Sequence, residues 1–203
     1  MNKKQILISG AFLWVFAVVG TTFVAVTENS TRATIEDNER FVLLRNLNAL
    51  LPAEQLDNDI VSDTTTALAS TLLGTENDTI VYRARLQGKP VAAIFNSIAP
   101  NGYSGKIHLL VGVYADGSVA GVRAVKHSET PGLGDAIETQ KADWIFGFNS
   151  RTLDSPAPSK WLVKKDGGDF DQFTGATITP RAVVLAVKNT LLYYQQNADS
   201  IFK

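Results

Sequence analysis

Apolar and polar positions divide the chain near residue 27. Residues 6–26 read ILISGAFLWVFAVVGTTFVAV and carry no charge. A bilayer-spanning helix needs roughly 20 apolar residues at about 1.5 Å each, so this run predicts a single transmembrane helix. Lys3 and Lys4 precede it, and Glu28 is the first charge after it. That asymmetry predicts a cytoplasmic N-terminus (1–5), a span (6–26) and an extracytoplasmic domain (27–203). The competing reading is a cleaved signal peptide, whose apolar region covers about 7–15 residues before a small-x-small site. Here the run is longer, and no A-x-A follows it.

Beyond the span the period of the pattern changes twice. Thr34 precedes IEDNERFVLLRNLNALLP, Asp37 stands three residues on, and Pro52 closes the run. This predicts a separate helix over about 35–51, with Ile35, Phe41, Val42, Leu44, Leu47 and Leu51 as its core-facing stripe. A short helix is expected around 66–73. From 79 the period falls to two. TIVYRARL (79–86) places Ile80, Tyr82, Ala84 and Leu86 on one face and Arg83 and Arg85 on the other. VAAIF (91–95), KIHLLVGVY (106–114) and VAGVRAVKH (119–127) follow as strands, the last two joined by an Asp116-Gly117 turn. Asp135 and Glu138 suggest a capped helix reaching about Ile145, and KWLVKK (160–165) a further strand. A final helix closes the chain. Strands in series rather than βαβ alternation predict an antiparallel α+β domain.

Composition narrows the chemistry. Lys+Arg is 19 and Asp+Glu is 20, a balance that gives no electrostatic reason to expect nucleic acid. The chain has no cysteine, which excludes disulfides, thiolate metal sites and a Cys nucleophile. Its two histidines, His108 and His127, stand in no metal-ligand spacing, so no metal is expected. Any redox role therefore needs a borrowed organic cofactor.

The stretch DQFTGATITPRAVV (171–184) is the candidate for holding one. Pro180 suits the first helical position, so Thr179 is the expected N-cap. Val183, Val184, Val187 and Leu191 form the apolar face that follows. Thr177 then sits just ahead of a helix N-terminus, whose unpaired amides and positive dipole end favour a phosphate. Gly175 and Ala176 leave the backbone open to a bulky group. These properties suit either an ordinary loop and cap or an attachment point.

Asp171-x-x-Thr174-Gly175-Ala176-Thr177 resembles the D-x-x-[ST]-G-A-T signature of FMN-binding domains modified by a dedicated flavin transferase. HSETPGLGD (127–135) resembles a loop of the same family, which includes the G subunits of Rnf (or Rsx) electron-transport complexes and the C subunits of sodium-pumping NADH:quinone reductases. The resemblance extends over nearly the whole chain through LPAEQLDND and GYSGKI, and the compact length and TGATITPRAVV ending are more similar to the Rnf G subunits.

The resemblance implies FMN bound covalently, as a phosphoester through its phosphate to the Thr177 hydroxyl. It implies Thr174, Gly175, Ala176, Glu129, Thr130, Gly132 and Leu133 as cofactor-binding residues, and Asp171 as part of the modification motif. No catalytic residue and no independent substrate turnover are expected. His127 is a candidate proton donor, Tyr103 and Trp144 candidate stacking residues, and Arg181 a candidate phosphate partner. The implied partners are the other membrane, flavin and iron–sulfur subunits of an Rnf complex, the flavin transferase and the bacterial inner membrane. The rival readings are the C subunit of the sodium pump, a sensor ectodomain binding FMN non-covalently, and a structural subunit that is never modified.

Overall fold

The computed structural model describes residues 3–203; the side chains of Ile6, Ala33, Glu36, Glu39 and Ala53 fall outside that description. Met1 and Asn2, part of the expected 1–5 segment, also lie outside the described residues. The chain divides into two compact units, Met1–Leu44 and Arg45–Lys203. Helix α1 runs Lys3–Leu50. Within it, Lys3–Arg32 is long and apolar enough to cross a membrane by length and composition, and Phe12, Trp14, Phe16 and Phe23 are exposed along it.

The separate helix expected over 35–51 is instead the C-terminal part of α1. No Gly or Pro interrupts residues 21–51. Hydroxyls just before residue 35 bond backwards within the same helix: Thr27 Oγ1 donates to Phe23 O and Thr31 Oγ1 to Thr27 O, both at 2.8 Å. The expected core stripe also shortens. Ile35, Phe41 and Val42 are exposed, whereas Leu47, Leu50 and Leu51 are buried.

The second unit is built on a five-stranded antiparallel meander ordered β1-β2-β3-β4-β5. Its strands are β1 (Thr64–Ala67), β2 (Thr79–Leu86), β3 (Lys89–Gly102), β4 (Gly105–Tyr114) and β5 (Val119–Lys126). The Asp116-Gly117 turn joins β4 to β5, with Gly117 at φ 86° and the Asp116 carboxylate accepting from the Ser118 amide and hydroxyl. The short helix expected near 66–73 is absent: residues 64–67 pair with β2, Thr65 opposite Val81. Cross-strand pairing outweighs the modest helix propensity of a Thr-rich run.

Register decides what each sheet face meets. Val81, Phe95, Val111 and Val122 lie opposite one another in successive strands and belong to the main core with α2 (Ile178–Ile201). Phe95 meets Tyr193 and Tyr194 edge-on at centroid distances of 6.0 and 6.2 Å. The other face carries Tyr82, Ile94, Gly112 and Gly121 in register. There two facing glycines admit the end of α1: a Cβ on Gly121 would stand 3.0 Å from Leu50 Cδ2. The set Ile80, Tyr82, Ala84 and Leu86 is therefore not the main core face. Arg83 and Arg85 share the α2 side, where they reach the last carbonyls of the chain, Ile201 O and Phe202 O. Arg123 does the same for α1, donating to Ala49 O at 2.6 Å. Both long helices thus end on cations from the sheet, as their dipoles favour.

The segment between β5 and α2 is irregular. The expected helix after Asp135 is replaced by 3-10 turns at Gly134–Ile137 and Trp144–Phe148, and the strand expected at 160–165 by turns at Pro158–Lys160 and Lys164–Asp166. Asp135 makes no cap bond; it is buried, and its carboxylate lies 3.8 Å from Lys141 Nζ. Trp161, Phe148 and Phe170 pack under these turns at centroid distances of 4.8 to 6.3 Å, and the expected strand is reduced to a single bridge, Val163 with Phe170.

Candidate functional site

Three separate elements meet at the start of α2: the β3–β4 turn, the loop after β5 and the 171–177 loop. Between them lies a cleft of about 250 Å³ lined by Tyr103, Glu129, Thr130, Leu133, Gly134 and residues 175–179.

The helix begins earlier than expected. Its N-cap is Thr177, with Ile178, Thr179 and Pro180 inside the first turn. Thr177 has φ −86° and ψ −25° and makes no side-chain cap bond. An N-cap side chain normally turns back onto the helix amides from an extended backbone; from this conformation the Thr177 hydroxyl does not. Thr177 is instead one of the residues that line the cleft. Gly175 precedes it at φ 82°, a region that disfavours any side chain. A Cβ there would also lie 3.3 Å from Leu133 Cδ2.

The loop 127–135 folds onto itself. The amides of Leu133, Gly134 and Asp135 all point at Thr130 O, at 3.1, 3.0 and 3.4 Å. These three donors are engaged within the loop. From this loop Glu129, Thr130, Leu133 and Gly134 line the cleft.

Glu129 is the connecting residue. It is 4% exposed, accepts from the amides of Tyr103 and Ser104 at 3.2 and 2.9 Å, and accepts the Thr179 hydroxyl. One carboxylate thus ties its own loop to the β3–β4 turn and to the first turn of α2. Gly134 permits the approach, since a Cβ there would fall 2.9 Å from both Glu129 Cβ and Thr179 Oγ1.

The other candidates fall into two groups. Gly175, Ala176, Thr177, Glu129, Thr130 and Leu133 line the cleft; Thr174, Gly132 and Asp171 do not. Asp171 is exposed, its carboxylate 2.6 Å from Lys164 Nζ. Tyr103 lines the cleft and is exposed. Trp144 does not line it: its indole donates to Asp171 O at 2.7 Å, and its ring meets Phe148 and Phe173 edge-on, supporting the motif from behind. Arg181 is held by Asp166 through two bonds of 2.5 and 2.6 Å. That guanidinium holds the Asp166 carboxyl below its ordinary range.

His127 is also engaged at both nitrogens. Nδ1 accepts the Glu129 amide at 3.2 Å and Nε2 lies 3.1 Å from Glu138 Oε1. This pattern places the ring proton on Nε2, facing Glu138. His127 therefore orders the loop and presents no free donor to the cleft. Sequence reasoning missed Gly134 and Ile178 as lining residues, and it read Thr179 as a cap rather than the partner of Glu129. The Gly-x-Gly spacing of PGLG was the available signal for Gly134.

A phosphate-bearing ligand fits this arrangement. The first-turn amides of α2 have no intrahelical acceptor, the N-cap hydroxyl leaves them uncovered, and Tyr103, Leu133 and Ile178 supply apolar wall.

Comparison with known proteins agrees. Residues 102–192 match the FMN-binding domain family, and residues 1–50 match the RnfG N-terminal region. A Pseudoalteromonas atlantica protein, named as the G subunit of an ion-translocating oxidoreductase complex, is 48% identical over 98% of this chain and 93% of its own. Proteins of the same name from Shewanella baltica and Pseudomonas aeruginosa are 46% and 45% identical, each over 98% of this chain and 94% of theirs. With an FMN-binding domain behind an RnfG-type N-terminal region and full-length relatives of one name, the chain belongs to the family of G subunits of ion-translocating oxidoreductase complexes.

Proposed function

We propose that this chain is the membrane-anchored flavin carrier of an Rnf-type ion-translocating electron-transport complex, with FMN held as a phosphoester on Thr177. The observation that supports it most is the state of Thr177, an N-cap residue that lines the cleft and whose hydroxyl makes no cap bond. An ordinary cap would place that oxygen over the N2 or N3 amide.

Each neighbouring residue then has a physical task. The Ile178 and Thr179 amides and the positive end of α2 offset the phosphate charge. Gly175 lets the backbone turn so that Thr177 faces the cleft. Tyr103, Leu133 and Ile178 are the apolar surfaces suited to a flat ring. Bound FMN supplies the one- and two-electron chemistry that no side chain here can provide. Asp171 is exposed ahead of the motif, where a flavin transferase can read it. Residues 6–26 anchor the chain in the bacterial inner membrane, with 1–5 cytoplasmic and 27–203 extracytoplasmic. Its partners are the remaining membrane, flavin and iron–sulfur subunits. The near-complete match to G-subunit chains supports this placement over the sodium-pump subunit.

The test is co-expression with a flavin transferase, denaturing electrophoresis and in-gel flavin fluorescence. Fluorescence in the natural chain that is lost in Thr177→Ala is expected. Fluorescence persisting in Thr177→Ala, or none in the natural chain, would overturn the proposal.

A further inference from the structure

We infer that Glu129 sets the reduction potential of a flavin held in this cleft, its carboxylate lowering that potential. The inference rests on the reading above, that FMN occupies the cleft.

Among the described residues lining the cleft, Glu129 is the one carboxylic or basic side chain. Its surroundings differ from those of the acids held in Lys or Arg ion pairs. Asp63 faces Arg83 and Arg85, Glu76 faces Lys106, Asp135 faces Lys141, Asp171 faces Lys164, and Asp166 faces Arg181. Glu129 meets neutral groups only: two amides and the Thr179 hydroxyl. All three donate, so the group is held as an acceptor. Such donors stabilise a buried carboxylate without cancelling its charge.

The carboxylate is also fixed in place. A Cβ on Gly102 would stand 2.9 Å from Glu129 Oε1, and one on Gly134 2.9 Å from Glu129 Cβ. Backbone therefore closes on it from two sides, and the side chain cannot swing out to water. Two cations flanking the attachment loop, Arg181 and Lys164, are paired with Asp166 and Asp171. Negative charge arriving in the cleft on reduction meets an uncompensated, desolvated carboxylate. Coulomb repulsion in a site of low effective dielectric is weakly screened. The oxidised state is favoured and the potential falls.

Two variants of the full-length, flavinylated chain separate charge from shape. Glu129→Gln keeps the side-chain outline and removes the charge; the Thr179 hydroxyl can rotate to accept from the new amide, while the Tyr103 N–H on that side loses its acceptor. Thr179→Val keeps the charge and removes one of its donors. In-gel fluorescence reports whether flavin is attached, and spectroelectrochemical titration reads its midpoint potential. An upward shift in Glu129→Gln and a downward shift in Thr179→Val are expected. Attached flavin with an unchanged potential in Glu129→Gln, or both variants shifting the same way, overturns the inference while leaving the attachment reading intact. If Glu129→Gln carries no flavin, Thr179→Val decides: a downward shift supports the inference, and an unchanged or raised potential overturns it. Loss of flavin from both variants assigns the pair to attachment and overturns the potential-setting role. Absence of flavin from the natural chain removes the attachment reading, and this inference with it.

Discussion

Arg181 stands in the first turn of α2, yet its guanidinium clasps Asp166, with Nε and Nη2 reaching the two carboxylate oxygens at 2.5 and 2.6 Å. The cation closest in sequence to Thr177 is therefore already paired. Phosphate at Thr177 would depend on backbone amides and the helix dipole, which need no side chain.

This relationship predicts that Arg181→Ala leaves covalent flavin in place. Exposed ion pairs contribute little to stability, so the melting temperature should also be nearly unchanged. In-gel fluorescence with a thermal melt checks both. Loss of flavin in Arg181→Ala would show that the guanidinium leaves Asp166 for the phosphate.

Leu50 seated over Gly121 joins the end of α1 to the sheet, and Arg123 caps the same helix end. Leu50→Ala removes a buried side chain and is expected to cost about 2–5 kcal/mol. Gly121→Val should be at least as damaging, because its side chain would occupy the space that Leu50 fills. Denaturant unfolding of the detergent-solubilised chain measures both. A Gly121→Val protein as stable as the natural one contradicts this packing.

Asp63 joins Arg83 and Arg85, the two arginines that reach the last carbonyls of the chain. Burial raises its pKa, but hydrogen bonds and charge from Arg85 and Arg83 outweigh this and hold it below the ordinary carboxylate value. A depressed folded-state pKa means the contribution is fully present above the unfolded value. It is lost as pH falls through the folded one. Melting temperature should therefore drop on acidification below about pH 4, and Asp63→Asn should show a shallower drop from a lower starting point. An unchanged acid limb in Asp63→Asn would show that the drop has another source.

His127 orders the loop through the Glu129 amide and the Glu138 carboxylate. His127→Ala is expected to speed amide hydrogen exchange at Glu129, because that N–H loses its acceptor. Flavin reduction should persist, since the ring offers no free donor to the cleft. Failure of the attached flavin to reduce in His127→Ala would restore the proton-donor role.

The strands were legible where alternation was clean. TIVYRARL coincides with β2, and the Asp116-Gly117 turn joins β4 to β5. The errors have a common physical origin in partners distant along the chain. Residues 64–67 become a strand because β2 pairs with them. Residues 160–165 do not, because Trp161 and Phe170 bury their rings together instead. Thr179 looked like a cap because Pro180 follows it, but its hydroxyl belongs to Glu129, fifty residues earlier. Local spacing located the Thr177 loop; it could not show that one buried acid joins the start of α2 to the β3–β4 turn.

The central claim is that the Thr177 oxygen carries the flavin. Tandem mass spectrometry of the peptide containing residues 171–181, from chain matured with a flavin transferase, tests it most directly. Three threonines compete in that peptide: Thr174, exposed and outside the cleft; Thr177; and Thr179, buried against Glu129. An FMN phosphoester on Thr177 alone is the predicted result. An adduct on Thr174 or Thr179, or an unmodified peptide from mature protein, would contradict it.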